Sequence, residues 1–404
     1  MMLSLAARNV LRHRTRTAIT LAAIVIGVVG LILTGGFVQD LFIQLGEAII
    51  HSQTGHVQVY RKDFLGKGSR QPEHYLIEGA DKVAQRLATL PEVSQVTARL
   101  NFTGLLNNGK RDLAIVGEGV EPDKEAAIGT YLTISQGRQL TSKDVNGILI
   151  GQGVAHSLAL APGDTVMLLL NTADGALNNQ EFVVTGVFQS FSKDFDARAV
   201  RIPLAAAQEL LANSGANLMV MMLKRTDDTE SVLGKMPSAL QGSGLEYTGW
   251  RQLSDFYDKS VNMYDSQFGV LRWIILIMVC LSVANSVNMS TYERLGEFGT
   301  MRAVGNKGST VMKLLLTESV LLGLAGATLG CILGVVAAKV ISAIGIPMPP
   351  PPNANVGYTA FIRIVPSTIG TAFLVGLFAT ILASIIPAYR VSRTDVVEAL
   401  RKNI

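Results

Sequence analysis

The sequence predicts an α-helical membrane protein with four transmembrane helices and a large α+β extracytoplasmic domain between the first two. Three observations predict this fold class. Mean hydropathy is +0.34, and only 16% of the 404 residues are charged, whereas soluble domains carry about 25%. Four uncharged runs approach or exceed the roughly 20 residues that cross a bilayer as a helix. A long polar segment separates the first run from the second.

The four uncharged runs are residues 17–38, 273–289, 319–338 and 367–389. The first is longer than the roughly 7–15-residue apolar region of a cleaved signal peptide, and no small-residue cleavage site follows it. We therefore expect the first span to remain uncleaved.

Charge indicates the orientation of these spans. The flanking basic residues are Arg8, Arg12, Arg14 and Arg16 before the first run, Arg294, Arg302, Lys307 and Lys313 between the second and third, and Arg390, Arg393, Arg401 and Lys402 after the fourth. Such flanks are usually cytoplasmic. Residues 40–265 instead carry 20 Lys and Arg against 26 Asp and Glu, a net −6, and long domains are exempt from the charge rule. Both termini are therefore predicted cytoplasmic and the long domain extracytoplasmic.

These assignments divide the chain into consecutive segments. They are a cytoplasmic basic amphipathic segment (1–16), transmembrane helix 1 with a stalk (17–50), an extracytoplasmic α+β domain (51–250), a stalk with transmembrane helix 2 (251–290), a cytoplasmic coupling-helix loop (291–312), transmembrane helix 3 (313–344), an extracytoplasmic loop (345–365), transmembrane helix 4 (366–389) and a cytoplasmic tail (390–404).

The stalk is predicted because apolar residues at helical spacing continue beyond the first run, at Leu41, Leu45 and Ile49. A helix over residues 17–50 would be about 51 Å long, which exceeds the roughly 30 Å of hydrocarbon. Short amphipathic helices on the membrane surface are the alternative. In the external domain, pattern and turn residues predict strands at 56–60, 103–106, 113–116 and 166–170 and helices at 81–90 and 204–212, arranged as two small lobes.

Several kinds of chemistry have no matching motif. No stretch reads G-x-x-x-x-G-K-[ST], so the chain lacks the loop that cradles nucleotide phosphates. The five histidines, His13, His51, His56, His74 and His156, show no metal-ligand spacing, and no G-x-S-x-G occurs. Glu318 stands alone near a cytoplasmic end, which disfavours a proton-driven transporter. We expect no enzyme, no catalytic or metal-binding residue, no nucleic-acid partner, and an external energy source.

The loop between the second and third runs has the pattern of a short amphipathic helix. Leu295, Phe298, Met301 and Val304 recur every third residue, and Glu293 lies one helical turn before Glu297. Such a helix either docks in a partner's groove or stabilises the bend between two spans.

Its residues resemble a known segment. Glu297-Phe298-Gly299 with Met301-Arg302-Ala303-Val304-Gly305 closely resembles the coupling segment of FtsX-like and MacB-like ABC transporter permeases. Supporting resemblances are Arg8-Asn9, Gly151-Gln152-Gly153-Val154-Ala155, Pro162-Gly163-Asp164, Pro387-Ala388 and Glu398-Ala399-Leu400-Arg401, although Val396 replaces a common proline. Residues 54–59, Gly186-Val187-Phe188 and Asp196 resemble the lipoprotein-releasing LolC and LolE branch.

This resemblance implies the MacB-like, type VII ABC exporter fold in a bacterial inner membrane. It implies a permease subunit that joins a second, identical or different, permease subunit and two copies of a separate ATPase. That ATPase would bind ATP and Mg, and this chain would hold no cofactor. The residues implied to couple to the ATPase are Arg294, Glu297, Phe298, Gly299, Met301, Arg302 and Gly305.

The implied function is ATP-driven extraction or export of an amphiphile, a lipoprotein or lipid, from the outer leaflet, with a periplasmic carrier or adaptor as a further partner. Conformational work would pass through the spans by mechanotransmission. Two alternatives stay open: FtsX-like signalling to a cell-wall hydrolase, and MacB-like drug or peptide efflux with a periplasmic adaptor.

Two polar or small-residue patterns predict helix contacts. Gly326, Gly330 and Gly334 form overlapping G-x-x-x-G units that allow close helix approach, within the subunit or between subunits. Ser282, Asn285 and Ser286 form a polar face that either bonds a neighbouring helix or lines a substrate path. The sequence indicates no substrate-binding residues.

Overall fold

A computed structural model describes residues 2–12, 14–68, 72–129, 131–172, 174–190, 192–350 and 357–393. His13, Val396 and the tail motif at 398–401, with Arg401 and Lys402, lie outside the described residues.

The helices of the described chain follow the predicted pattern of long apolar and short polar segments. In order they are α1 (Met2–Arg12), α2 (Arg14–Ile49), α3 (Ala80–Ala88), α4 (Pro122–Ile128), α5 (Gln152–Leu158), α6 (Lys193–Asp196), α7 (Leu204–Leu210), α8 (Thr229–Ala239), α9 (Trp250–Leu253), α10 (Asp255–Glu293), α11 (Leu295–Ala303), α12 (Gly308–Ile344) and α13 (Pro366–Arg393). A π-helical turn, Ile50–Thr54, follows α2.

The strands lie mainly between α2 and α9. They are β1 (Val57–Arg61), β2 (Val93–Asn107), β3 (Asp112–Val120), β4 (Thr133–Gly137), β5 (Gly147–Gly151), β6 (Thr165–Asn171), β7 (Leu177–Gln189), β8 (Ala199–Pro203), β9 (Leu218–Leu223), β10 (Leu245–Gly249), β11 (Ile346–Met348) and β12 (Tyr358–Ala360). The strands and helices predicted for the long polar segment are therefore confirmed.

The chain divides into two compact units. The helical unit comprises residues 1–42, 260–347 and 359–404, and the mixed unit comprises residues 43–259 and 348–358.

The helical unit contains four helices that are long and apolar enough to cross a membrane, α2, α10, α12 and α13. Its core joins Ile24, Val28 and Ile32 of α2 to Val279 and Val283 of α10, with Ala327, Ala372 and Ala379 from the other two helices. Many other apolar side chains of these helices are exposed, as expected for surfaces that face lipid or another subunit. The prediction of four apolar helices is confirmed.

The segment before α13 is attached to the first apolar helix. Asp40 of α2 is fully buried. One of its carboxylate oxygens accepts from Arg363 Nε at 2.7 Å, and the other accepts from the Phe361 N–H at 2.8 Å. The Arg363 N–H donates to Gly36 O at 3.2 Å. These bonds, called here the Asp40 clasp, fix residues 361–363 against α2.

The mixed unit is built on one ten-stranded sheet with the order β10-β1-β9-β2-β3-β8-β5-β7-β4, and β6 pairs with β2 and β7. Only β3–β8 and β5–β7 are parallel pairs among those described. Two separate buried apolar clusters pack on this sheet. The two expected lobes thus share a single sheet.

Candidate functional site

Helix α11 lies against the ends of α12 and α13. Its short length and apolar spacing leave one face to bury, and that face presents Leu295 and Phe298, which are 6% and 2% exposed. The residues that cover them are Val311, Leu315, Ala388 and Val391. The position of α11 is therefore set by packing on the neighbouring long helices.

A buried charge network fixes the start of α11. Arg294 Nη1 lies 2.7 Å from Glu318 Oε2, and Nη2 lies 3.1 Å from Glu318 Oε1. Arg294 Nε donates to Glu297 at 3.2 Å, and the guanidinium lies 5.0 Å from the centre of the Phe298 ring. Asn9 of α1 donates to Glu318 Oε1 at 2.7 Å. Glu318 thus joins α1, through Asn9, and the start of α11, through Arg294, to α12.

The end of α11 turns sharply away from the packed face. Gly305 has φ +99°, a conformation that favours glycine. The Gly305 N–H donates to Arg302 O at 3.0 Å, and the Asn306 N–H donates to Met301 O at 3.1 Å, so the last helical carbonyls are paired. Val304 is 79% exposed at this turn. The turn offers an apolar contact point that the described residues leave largely uncovered.

A cavity of about 500 Å³ opens at the opposite end of the helical unit, between α2, α10 and α13. Its apolar lining includes Leu31, Val38, Phe42, Trp273, Leu276 and Val375. Its polar lining includes Gln39, Asp265, Arg272, Ser367, Thr368 and Thr371. Gly35 permits the narrow approach of α2 to α13, because a Cβ there would lie 2.5 Å from the Thr368 methyl group. Concave sites of this size, with apolar walls and a few polar groups, are typical of small-molecule binding sites.

Two family models match the chain. The MacB-like periplasmic core domain matches residues 17–239, more than half of the chain, and the FtsX-like permease C-terminal domain matches residues 269–396. The chain belongs to the MacB-like and FtsX-like family of ABC transporter permeases.

The permease is also similar to individual proteins over most of its length. It is 20% identical to the lipoprotein-releasing system transmembrane protein LolE of Haemophilus influenzae, over 92% of this chain and 90% of LolE. It is 23% identical to an uncharacterized ABC transporter permease of Methanocaldococcus jannaschii, over 99% and 97%. The macrolide export ATP-binding/permease protein MacB of Escherichia coli is 23% identical over 99% of this chain and 60% of MacB. The solved periplasmic region of MacB from Actinobacillus actinomycetemcomitans matches with a TM-score of 0.38 at 16% identity, covering 52% of the permease and 95% of that region.

The structure separates the predicted coupling residues of the permease into three groups by their exposure. Arg294, Phe298 and Gly299 are buried in the chain itself, whereas Glu297 and Gly305 are exposed. Met301 and Arg302 are intermediate in exposure. The buried group can act only by positioning α11, and the exposed group is accessible to a partner.

The glycines of α12 lie against the first apolar helix of the same chain. A Cβ at Gly326, Gly330 or Gly334 would approach Ile24, Val28 and Ile32 to 2.9, 2.7 and 2.9 Å. Of the predicted polar face on α10, Ser286 forms a hydrogen bond with Thr20 of α2. Both observations correspond to packing within the subunit.

Sequence reasoning missed two features of the permease. Glu318 is not an isolated acid, because it binds Arg294, 24 residues away, and Asn9, 309 residues away. The cavity combines residues of three helices that are distant in sequence. The only local sequence feature that indicates the cavity is the charged Arg272 next to Trp273, and both side chains are exposed in the structure.

Proposed function

We propose that the permease uses ATP hydrolysis by a separate ATPase to extract a lipidated amphiphile, a lipoprotein or lipid, from the outer leaflet of the inner membrane. The cavity between α2, α10 and α13 is the observation that carries this proposal. Its apolar lining suits acyl chains, and its polar lining suits the group to which they are attached. The similarity to proteins named as lipoprotein-releasing supports this choice of cargo.

The proposed topology has α11 and both termini in the cytoplasm and the mixed unit in the periplasm. Basic residues beside the α11 end of the long helices support it. The proposed complex contains two copies of the ATPase, which bind ATP and Mg, a second permease subunit, and a periplasmic carrier or adaptor.

In this proposal the ATPase docks on the exposed side of α11. Glu297, Val304 and Gly305 are accessible there, while Arg294 holds the helix to Glu318. Because the bidentate pair is buried and charge-assisted, it is among the stronger polar contacts available. A displacement of α11 would therefore be transmitted to α12 with little rearrangement of the contact between them.

The test is release of a lipidated cargo from nanodiscs that contain the complex with its ATPase. W273Q changes the cavity lining, and L281Q is the matched control, because both side chains lie on α10 and are 66% exposed. Loss of an apolar contact worth about 1.5–3 kcal/mol predicts roughly tenfold or greater loss of cargo release in W273Q alone. ATP hydrolysis without a cargo should be unchanged in both.

Absent or ATP-independent release by the unmodified complex, with every lipidated cargo tried, would contradict extraction. Capture of a cell-wall hydrolase by the permease would instead favour the signalling alternative, and capture of an outer-membrane channel through an adaptor would favour efflux.

A further inference from the structure

The end of α2 is held by side chains of the sheet in the mixed unit. A helix leaves its last carbonyls without intrahelical donors. After Ile49 the chain forms the π-helical turn Ile50–Thr54. In that turn Ser52 O accepts from Arg201 Nη2 at 3.1 Å, and Gln53 O accepts from Arg99 Nη1. Two guanidinium groups therefore bind two consecutive carbonyls at the junction between helix and sheet.

Both arginines belong to a buried four-charge cluster. Arg99 and Arg201 are each 1% exposed, Glu125 is 2% exposed and Glu118 is 9% exposed. Arg201 Nε donates to Glu118 at 2.8 Å and Arg201 Nη1 lies 3.4 Å from Glu125. Arg99 Nε donates to Glu125 at 3.2 Å, and Arg99 Nη1 lies 3.7 Å from Glu118. Each arginine is thus shared between two carboxylates and one carbonyl of the turn.

The sheet order brings these charges together. Arg99 lies on β2, Glu118 on β3 and Arg201 on β8, and the parallel pairing of β3 with β8 places Glu118 opposite Arg201. Glu125 lies on α4. Burial alone would raise the pKa of Glu125, but the guanidiniums of Arg99 and Arg201 outweigh it and lower that pKa. Glu125 is therefore a carboxylate, and the cluster pairs two acidic residues with two basic ones.

Stability alone is a weak reason for such a cluster. A buried ion-pair network is often no more stabilising than apolar residues of similar volume. Apolar residues, however, could not donate hydrogen bonds to Ser52 O and Gln53 O. Because the guanidinium is planar and rigid, it also fixes the direction of the carbonyls it binds.

We propose that Arg99 and Arg201 are positioning residues that fix the end of α2 to the sheet, so that movement of α2 displaces the sheet instead of deforming the turn at Ile50–Thr54. This inference rests on the proposed function, since it assumes that α2 moves when ATP is used. It deepens that function by naming the residues through which movement enters the mixed unit.

A second set of bonds holds the preceding helical turn. Thr226 Oγ1 donates to Glu47 Oε1 at 2.5 Å and lies 3.0 Å from His56 Nε2. The His56 carbonyl accepts from the Trp250 N–H at 3.0 Å. The turn is therefore attached on both sides of the carbonyls that the arginines bind, which limits its freedom to absorb a displacement.

The experiment measures amide hydrogen exchange in the complex with its ATPase, in nanodiscs, with and without ATP. The test variant is R99M/E118L/E125L/R201M, which removes all four charges together so that no buried charge is left unpaired. R138M/D144L, which removes an ion pair of the same unit with an exposed arginine and a partly buried aspartate, is the control. If the four-charge variant fails to fold, R99K/R201K replaces it, because lysine keeps the charge and loses the planar pair of donors.

Loss of two charge-assisted hydrogen bonds predicts roughly tenfold or greater acceleration of exchange over residues 50–56. A merely structural role would also give that result. The decisive readout is the change that ATP causes in β1, β2 and β9: we expect it in the unmodified complex and the control, and expect it to be lost in the test variant.

An ATP-dependent change in these strands that survives in the folded test variant would overturn the proposal, as would its absence from the unmodified complex. If the unmodified complex shows the change and releases no lipidated cargo, extraction fails and the role of the two arginines stands.

Discussion

The buried ion pair of Arg294 and Glu318 fixes the local structure around α11. Arg294 is 4% exposed and Glu318 is 8% exposed. Their bidentate contact joins a helix of nine residues to one of 37. A charge in such a place is tolerated only with its partner, so each residue constrains the other.

Replacing Arg294 alone should therefore lower the stability of the permease more than replacing Arg294 and Glu318 together. R294M leaves the Glu318 carboxylate without its guanidinium and should cost about 3–5 kcal/mol of stability, whereas R294M/E318L removes both charges and should recover most of it. The thermal unfolding midpoint in detergent and co-purification with the ATPase measure the effect. Equal midpoints for the single and double variants would refute this account of the network.

His56 should make the mixed unit sensitive to acid. Burial lowers the pKa of His56 to about 4 from the ordinary 6.5, and the nearby Glu47 carboxylate opposes this only in part. Between these two pKa values, His56 is therefore protonated in the unfolded chain and neutral in the folded chain. The contribution of His56 to stability should be complete above pH 6.5 and should fall by about 3 kcal/mol as the pH decreases from 6.5 to about 4.

Unfolding midpoints of the purified permease across this pH range check the prediction. H56Q should lose much of the decline, and H156Q, at an exposed histidine, should keep it. A decline of the same size in H56Q would assign the acid sensitivity to other groups.

At the scale of elements, the contact between α2 and α12 depends on the absence of side chains. A Cβ at Gly330 would lie 2.7 Å from the Val28 Cβ, whereas Gly370 of α13 has no neighbour within 4 Å of that position. The same substitution at these two glycines therefore meets a packed helix at Gly330 and open space at Gly370.

G330L should force the helices apart and cost about 1–3 kcal/mol, the usual cost of overpacking. G370L should be neutral or slightly stabilising, because glycine is a poor helix former. Unfolding in detergent and the yield of folded permease compare the two. A G330L variant as stable as G370L would show that α12 does not pack closely on α2.

Helices and strands were predictable where apolar residues recur at a regular spacing along the sequence. Leu41, Leu45 and Ile49 predicted that α2 continues beyond the apolar run, and α2 does end at Ile49. The strands predicted at 103–106 and 113–116 lie in β2 and β3, which pair antiparallel. The pairing of β3 with β8 could not be predicted, because a parallel pair is formed by strands far apart in the chain. The cluster of Arg99 and Arg201 depends on that pairing.

The candidate site was predictable only in outline. Periodicity identified α11 and a resemblance gave its residues a role, but neither distinguished the buried Phe298 from the exposed Val304. That distinction depends on α12 and α13, which cover one face of α11. Sequence periodicity shows that a face is apolar, while the partner that buries it is decided by the tertiary fold.

At the scale of the whole molecule, the proposed topology places α11 and the mixed unit on opposite sides of the membrane. Val304 in the turn after α11 and Val145 in the mixed unit are 79% and 70% exposed, so a thiol at either position should react readily. The native Cys280 and Cys331 are only partly exposed and lie within the apolar helices.

In intact cells, an impermeant thiol reagent should label V145C and should spare V304C until the inner membrane is opened. The outer membrane must be permeabilised first so that the reagent reaches the periplasm. Labelling of V304C from the periplasmic side would exclude docking of α11 on a cytoplasmic ATPase.

The Asp40 clasp restricts how the first apolar helix can rearrange. Rotation of α2 about its axis by one residue, about 100°, would carry the Asp40 carboxylate out of reach of Arg363 and the Phe361 N–H. Breaking charge-assisted hydrogen bonds to a fully buried carboxylate is costly. Twisting of α2 alone is thereby disfavoured. Tilting or sliding that carries residues 361–363 along keeps every bond of the clasp intact.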